Sequence, residues 1–316
     1  MRPGRATLQT YSLLGERAAP PDEYEIVTSR LLYYVGRGFE VEVPIGAWYR
    51  TYQAGTRLQH ADWDRFEDPR RTTYTLYTRL ARAREEALDL ALAALPEDAD
   101  RGLSSSWRDT LSRVLAPLRH PLHGLHMLAS YLGQMAPSGR ITLCALFQAA
   151  DEIRRIERLA IRLAELQARW PGLGADARRT WQEDPAWQPA RECIERLLVT
   201  YDFGEAFAGL QLGVRPLLDR AVEVLARCAR SQGDLRTATI LRALDEDAAW
   251  HAEWSLALAQ FALAQPENRD VLAQAIGTWR PRAELGARGM LEALGVAADL
   301  PAIAAAHREA LEALGL

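Results

Sequence analysis

Two short sequences, DEIRR at residues 151–155 and DAAWH at residues 247–251, are the strongest indication of the fold of this chain. Both lie in long segments where apolar residues recur every three or four positions, which is the pattern of an amphipathic helix. Both also approach the order Asp-Glu-x-Arg-His, in which a glutamate and the histidine three residues later lie on one helix face. The two sequences therefore predict two helices that turn polar faces toward the interior of one bundle.

Neither sequence completes the Glu-x-x-His pair. The first keeps Glu152 but has Arg155 where the histidine would stand, and the second keeps His251 but has Ala248 where the glutamate would stand. In bundles that bind two iron ions, each pair gives a carboxylate and an imidazole to the metal, and two more helices each give a carboxylate. We interpret the four residues as degenerate ligand positions and predict no metal site in this chain. Taken alone, the two sequences fit ordinary helix salt bridges at three- or four-residue spacing equally well.

The rest of the chain offers no replacement ligands. None of the six histidines follows an acidic residue by three positions, and no Asp or Glu stands between Asp109 and Asp151. His120, His123 and His126 follow one another at three-residue spacing. Because each step turns the side chain further round the helix, one ion cannot take all three without ligands from elsewhere. We interpret them as core or surface histidines.

The composition is that of a globular protein, and it excludes several classes. Of 316 residues, 48% are hydrophobic and 25% are charged, which is ordinary for a folded domain. The net charge of −4 and a pI near 5.9 leave no basic surface of the kind that binds nucleic acid. The three cysteines have no paired spacing, and no apolar stretch is long enough for a signal peptide or a membrane helix. The sequence predicts a cytoplasmic protein.

Residues 1–72 differ from the remainder of the chain. They are rich in proline, glycine and aromatic residues and show little sustained helical periodicity. Such a segment cannot bury its rings by itself, so it is expected to lie across the chain's own bundle or across a partner. We predict an extended N-terminal arm for subunit contacts, with the following candidate interface residues: Tyr24, Trp48, Tyr49, Trp63 and Phe66.

Helical patterns occupy the chain from residue 73 to its end, and no strand alternation competes with them. Several segments approach 30 residues, which favours an all-α bundle of long antiparallel helices over residues 73–316. Caps, glycines and prolines place the helices at 73–95, 107–135, 139–169, 190–230 with a break near Pro216, 234–264, 267–279, 281–294 and 299–314.

Nine sequences carry a family resemblance that covers nearly the whole chain in order. They are TYSLL (10–14), PPDEYEIVTSRLLYY (20–34), WYRTYQ (48–53), DWDRFEDPR (62–70), TYTLYT (73–78), SWRDTLSRVLAPLRHPLHGLHMLASYLGQMAPS (106–138), DPAWQPARECIERLLVTYDFGEAF (184–207), DAAWHAEW (247–254) and TWRPRAEL (278–285). The chain resembles the beta subunits of the hydroxylase component of soluble di-iron monooxygenases that act on toluene, other aromatics and alkenes. One departure is Trp250, where those subunits often have arginine.

The resemblance implies a ferritin-like helical fold without iron of its own. It also implies a dimer of heterotrimers, in which a catalytic large subunit holds the di-iron centre beside this chain, a small subunit and a second copy of each. A small effector protein, a reductase and in many members a ferredoxin would act on this complex. The expected role is a non-catalytic, structural one in an enzyme that hydroxylates or epoxidises hydrocarbons with O2 and electrons from NAD(P)H.

Two other classes stay open at this point, a free-standing ferritin-like di-metal oxidase and a helical adaptor unrelated to oxygenases. A further hypothesis concerns what replaces the metal. Inward carboxylates that have lost a dication repel one another and are poorly solvated, so a buried arginine is a natural substitute. We predict that Arg154 or Arg155 pairs with Glu152, Asp247 or Glu205.

Overall fold

The structure, a computed structural model, describes residues 21–30 and 44–316, with only the backbone of residues 29 and 30. This part of the chain is all-α and contains no β-strand. Its α-helices are α1 (Glu23–Arg30), α2 (Pro44–Tyr49), α3 (Tyr74–Ala93), α4 (Ser105–Thr110), α5 (Ala116–Met135), α6 (Gly139–Arg169), α7 (Ala177–Glu183), α8 (Gln188–Leu198), α9 (Phe203–Phe207), α10 (Arg215–Ser231), α11 (Leu235–Ala262), α12 (Asn268–Ala293) and α13 (Leu300–Ala313).

Four long helices form the bundle. α5 and α6 make one helical hairpin, α10 and α11 make a second, and α6 packs against α11 to join them. α3 lies on α11, while α12 packs against α8 and α10, and α13 closes over α10 and α12. None of the helices in the described residues is long and apolar enough to cross a bilayer.

Short polar sequences set the turns of both hairpins. Ser138 caps α6 by accepting a hydrogen bond from the backbone N–H of Arg140. Gly233 adopts a φ of 76°, a left-handed conformation that suits glycine, just after α10 ends. Asp234 then caps α11 by accepting from the backbone N–H of Thr237. These caps satisfy backbone donors that the first turn of a helix leaves free, so each long helix begins at a defined residue.

Two stretches of π-helix join α-helices of the bundle. Leu111–Leu115 joins α4 to α5, and Ala208–Val214 joins α9 to α10. The second stretch, called the π segment below, is buried throughout and lies on α12. A Cβ atom at Gly209 would come within 2.8 Å of the Trp279 ring, so only glycine permits this approach. The π segment ends directly before Arg215 and directs that side chain into the bundle.

The predicted helices agree with the structure except at three places. The break in 190–230 lies at residues 199–202, and Pro216 instead opens α10, where a missing backbone N–H costs nothing. Helix α12 continues through Pro281 rather than splitting at residue 280. A helix, α7, lies in the stretch 171–189 that was expected to be a loop.

The described part of the N-terminal segment contains short helices and lies on the bundle. Thr56 donates to Asp202 at 2.8 Å, and Arg70 binds Glu253 through two bonds of 2.6 Å. Leu58 is fully buried. This segment is therefore part of the folding unit of the chain, while its predicted role in subunit contacts stays a prediction, and residues 1–20 and 31–43 lie outside the described residues.

The five candidate interface residues divide into two groups. Tyr24 and Phe66 keep only 3% and 1% of their surface exposed. The Tyr24 hydroxyl accepts from the backbone of residue 68, and the Phe66 ring packs on that of residue 261, so both serve the chain's own core. Trp48, Tyr49 and Trp63 are partly buried against the same core and keep surface exposed. Only this second group has area left for a partner.

Candidate functional site

The face of α6 that turns into the bundle carries charged residues in its middle turns. Asp151, Glu152, Arg154 and Arg155 are all buried, each with 9% or less of its surface exposed. Charges in such surroundings are costly unless they are paired. The partners come from α3, α10 and α11, and they divide the charges into three clusters.

The first cluster is a ring of two carboxylates and two guanidinium groups. Glu152 receives Arg215 Nη1 at 2.7 Å on one oxygen and Arg155 Nη1 at 3.2 Å on the other. The same two arginines bind Asp219, at 3.0 Å from Arg155 Nη2 and 3.2 Å from Arg215 Nη2. The formal charges cancel within the ring, which we call the arginine ring (Glu152, Arg155, Arg215 and Asp219).

The pKa shifts of two members of the arginine ring favour their charged forms. Burial on its own would raise the pKa of Asp219, but Arg215 and Arg155 outweigh burial and lower this pKa below its ordinary value. Burial on its own would lower the pKa of Arg155, but the charges of Glu152 and Asp219 raise it. Asp219 and Arg155 are therefore held in their charged forms by their partners in the ring.

The second cluster surrounds Asp247 of α11. Arg84 of α3 binds one of its oxygens at 2.7 Å, and Arg154 of α6 binds the other. Arg154 also pairs with Glu85 of α3. Burial and the nearby charge of Asp151 raise the pKa of Asp247 to about 6, against the opposing influence of the two arginines. This cluster links three helices through one carboxylate.

The third cluster contains the surviving histidine. His251 Nε2 lies 2.8 Å from one oxygen of Asp151, and the Tyr77 hydroxyl donates to the other oxygen at 2.8 Å. Burial lowers the pKa of His251, so the ring is neutral at pH 7 and its Nε2–H donates to the carboxylate. Burial raises the pKa of Asp151, but the bonds from His251 and Tyr77 outweigh it and hold that pKa below its ordinary value.

The four residues predicted to be degenerate ligand positions, Glu152, Arg155, Ala248 and His251, do not fit a pair of iron ions. Both oxygens of Glu152 already bind guanidinium groups, and Arg155 adds positive charge where a ligand would stand. Ala248 has no donor atom, and the donating nitrogen of His251 is turned to Asp151. Among residues 21–30 and 44–316, no group of three or more His, Cys, Asp or Glu side chains has an arrangement that could hold a metal ion.

The predicted arginine pairs are present. Arg155 binds Glu152, and Arg154 binds Asp247. Glu205, the third candidate partner, instead accepts a hydrogen bond from the Trp279 indole at 3.2 Å. Arginine charge therefore stands beside the retained carboxylates, as the hypothesis required.

Sequence reasoning missed five contributors from other helices: Tyr77, Arg84 and Glu85 of α3, and Arg215 and Asp219 of α10. Arg215 and Asp219 are four residues apart on α10 and interrupt an otherwise apolar face that includes Leu218 and Val222. Charged residues at helical spacing inside an apolar stripe were the available signal. Tyr77 gave no such signal, because a tyrosine near the start of a helix commonly packs against a hydrophobic core and does not by itself indicate a polar contact.

The three spaced histidines of α5 do not converge on one point. The His120 ring stacks on Trp181 at 6.1 Å between centroids, and His126 Nδ1 lies 2.9 Å from the carbonyl oxygen of Ala149. His123 is exposed and stacks on His126 at 5.8 Å. His120 therefore packs on α7, while His123 and His126 pack on each other.

Comparison with known proteins identifies the family. Residues 47–266 match the model of the methane/phenol/alkene hydroxylases. The chain belongs to the methane/phenol/alkene hydroxylase family. Within this family it is 32% identical, over 91% of its length and 90% of the relative's, to the hydroxylase component subunit beta of the toluene-4-monooxygenase system of Ectopseudomonas mendocina. It is also 29% identical to the hydroxylase component small subunit of propane 2-monooxygenase from Gordonia sp. strain TY-5, over 74% of this chain and 66% of that one.

Solved structures of family members have the same fold. A toluene 4-monooxygenase structure with toluene bound in its resting active site contains a chain that superposes with a TM-score of 0.84 at 32% identity, over 89% of this chain and 99% of that one. Xenon-pressurised phenol hydroxylase from Pseudomonas sp. OX1 gives a TM-score of 0.83 at 20% identity, covering 100% of this chain and 97% of that chain. The predicted family and the all-α bundle are confirmed. The chain is a beta-type subunit of a monooxygenase hydroxylase component.

Proposed function

We propose that this chain is the non-catalytic, structural beta subunit of a di-iron monooxygenase that hydroxylates or epoxidises aromatic or alkene hydrocarbons. The iron centre belongs to a catalytic large subunit, and the complex is a dimer of heterotrimers that contains a small subunit as well. O2 and electrons derived from NAD(P)H support the reaction, through a reductase and, in many members of the family, a ferredoxin, with an effector protein bound to the hydroxylase. The complex works in the cytoplasm, in keeping with three unpaired cysteines.

One observation carries this proposal, the arginine ring at the degenerate ligand positions. The ring pairs its own buried charges between α6 and α10, so these positions need no metal ion to balance them. A subunit that keeps a ferritin-like fold and fills the ligand positions with ion pairs retains the shape of its catalytic relatives and not their chemistry. Its contribution is then to brace the large subunit, in which intact ligand pairs must be held in place.

The surface of α6 offers a place for that contact. Leu146, Ile153 and Ile161 are 44%, 42% and 45% exposed, and their spacing of seven and eight residues places them along one side of the helix. Apolar side chains in such a row pack well against a helix of another subunit and poorly against water. We call this the α6 row (Leu146, Ile153 and Ile161) and assign it to the large subunit.

Co-purification tests the proposal. The chain is co-expressed with a tagged large subunit, and the amount of each chain recovered on the tag is measured. Ile153→Glu introduces a charge into the α6 row and is expected to lower the recovered chain at least fivefold. Leu285→Glu is the matched control, because Leu285 is 53% exposed on α12, a helix that packs against α8 and α10. Equal recovery of the Ile153→Glu variant and the control would show that the α6 row is not part of the interface with the large subunit.

Deleting residues 1–70 is a less useful test of the arm. The deletion would take Leu58 and Phe66 out of the core, so a loss of complex would report unfolding of this chain. The substitutions Trp48→Ser and Trp63→Ser test the contacts of the arm without deleting it. Both residues are partly buried and keep exposed surface. Unchanged recovery of the large subunit with both variants would count against a role of the arm in subunit contacts.

A further inference from the structure

Helix α6 leaves one narrow line of side chains uncovered. Every other side chain between residues 141 and 160 is buried or half-buried under the rest of the bundle. We call this line, with its continuation one turn further, the α6 seam, and its members are Leu146, Ala150, Ile153, Glu157, Ala160 and Ala164. The seam shares two residues with the α6 row and runs for about 27 Å along the helix, at a rise of about 1.5 Å per residue.

The spacing of the seam predicts the shape of what covers it. Its members follow one another at alternate steps of four and three residues, the spacing of the contact positions in a coiled coil. Side chains at this spacing interlock with those of a single helix that lies nearly parallel to α6. Three of the six members are alanines, which allow the axis of a second helix to come close. A long helix fits this line better than a loop or a flat surface.

Glu157 is the one charged member of the seam. Arg154, three residues before it, and Arg158, the next residue, are already paired with carboxylates of α3 and α11. Within residues 21–30 and 44–316, no ion pair or hydrogen bond reaches the Glu157 carboxylate. A helix laid on the seam would remove this carboxylate from water, which is unfavourable unless the same helix supplies a cation.

The position of Glu157 disfavours a second copy of this chain as the covering helix. A pair of identical chains related by a two-fold axis uses the same surface twice. Because Glu157 is near the middle of the seam, pairing α6 with its copy brings the two Glu157 carboxylates together, in either direction of the second helix. Like charges in an apolar contact repel, so the seam suits a helix of a different chain that carries a basic residue.

We propose that the α6 seam binds one long helix of the catalytic large subunit, and that an arginine or lysine of that helix pairs with Glu157. The identity of the partner rests on the proposed function. The spacing of the seam and its uncompensated carboxylate are properties of this chain, and they define the partner helix: an apolar line at the same spacing, interrupted by one cation.

Photo-crosslinking in the assembled hydroxylase complex tests which chain lies on the seam. p-Benzoylphenylalanine replaces Leu146 in one preparation and Ile161, beside Ala160, in another, and mass spectrometry identifies the linked peptides. Both side chains are large and nearly half exposed, so the probe is accommodated. We expect both positions to link to one helix of the large subunit, at sites about 15 residues apart, since both helices rise about 1.5 Å per residue. A basic residue is expected between the two sites.

The matched control carries the probe at Leu285, which is 53% exposed on α12 and is expected not to link to that helix. Links between two copies of this chain, links to two unrelated segments, or no links from an assembled complex would overturn the proposal while leaving the proposed function intact. A chain that fails to co-purify with the large subunit would reject the proposed function, and the assignment of the partner with it.

Charge exchange tests the ion pair. Glu157→Arg is expected to lower the recovery of this chain on a tagged large subunit about fivefold or more, because it brings two cations into contact. Glu292→Arg makes the same change at an exposed position of α12 and should leave recovery unchanged. Replacing the large subunit's basic residue, as located by the crosslinks, with glutamate should restore the recovery of Glu157→Arg. Equal recovery of Glu157→Arg and Glu292→Arg, or no restoration by the exchange, would show that Glu157 has no cationic partner.

Discussion

Helices α6 and α11 each retain one residue of a Glu-x-x-His pair, and the fold accommodates the two residues by different means. Glu152 of α6 pairs with Arg155 and Arg215, whereas His251 of α11 is neutral and donates one hydrogen bond to Asp151. A buried carboxylate is stabilised by a counter-charge, while a buried neutral imidazole has no charge to balance. We propose that arginine takes the place of a dication on the side where a carboxylate remains.

The largest expected effect comes from opening the arginine ring. Arg155→Met leaves Glu152 and Asp219 with one cation between them in the bundle interior. Removal of one partner from a buried pair typically costs about 3–5 kcal/mol of unfolding free energy. Urea unfolding of the full chain, followed by circular dichroism, measures this loss.

Arg196→Met is the matched control for that variant. Arg196 pairs with Glu192, but the two side chains are 59% and 62% exposed, and such surface pairs contribute about 0–1 kcal/mol. A loss of stability no greater for Arg155→Met than for Arg196→Met would show that the arginine ring does not hold α6 to α10.

Removing one charge of each sign is expected to cost less than the sum of the two single changes. In the double variant Glu152→Gln with Arg155→Met, Arg215 and Asp219 remain as a neutral pair. Residues in one ion-pair network show coupling free energies of about 0.5–3 kcal/mol. Unfolding free energies of the two single variants and the double variant give this coupling, and strict additivity would mean that Glu152 and Arg155 do not depend on each other.

Helix bounds were predictable where capping, glycine and proline signals agree. They were not predictable at prolines, because a proline can either end a helix or lie in its first turn. The Trp170-Pro171-Gly172 sequence directly follows α6, and its proline and glycine indicated the end of that helix. Pro216 predicted a break, but a proline also suits the first turn of a helix. Pro281 lies within α12, where packing against α8, α9, α10 and α13 outweighs the local preference. Single-residue rules give no weight to such packing.

The candidate site was predictable on α6 and α11, the two helices that carry the sequences DEIRR and DAAWH, and not on α3 and α10. Arg155 and Glu152 are three residues apart, so their pairing follows from helix geometry. Arg215, Asp219 and Tyr77 reach the same interior from other helices, and their contribution depends on the register between helices, which one sequence does not contain. Composition and spacing thus predicted the incomplete Glu-x-x-His pairs and the ion pairs of Arg154 and Arg155. They did not predict the charged residues that α3 and α10 contribute.

Two residues of the other clusters are expected to change the pH dependence of stability in opposite directions. The folded pKa of His251 is below its ordinary 6.5, so its contribution is present above pH 6.5 and is lost as pH falls. The folded pKa of Asp247 is about 6 against an ordinary 3.8, so its contribution is present below pH 3.8 and is lost as pH rises through 6.

His251→Gln should therefore flatten the loss of stability on acidification, and Asp247→Asn should steepen it. Urea unfolding at steps between about pH 4 and pH 7 compares the slopes of the two variants with that of the unchanged chain, so any constant loss of stability drops out. Slopes that change in the same direction for both variants would contradict the separate roles assigned to the histidine and the carboxylate.

The smallest expected effect is that of iron. A ligand present at 100 times its Kd stabilises the folded state by about 2.7 kcal/mol, so a real iron site would raise the Tm by several degrees. Anaerobic Fe(II) should leave the Tm of the purified chain unchanged. Ala248→Glu restores a carboxylate on α11 and should still give no shift, because Arg155 and Arg215 continue to occupy Glu152. If Fe(II) stabilised the unchanged chain, the interpretation of all four positions as degenerate would fail. If it stabilised only Ala248→Glu, the arginine ring would be weaker than the metal that it replaced.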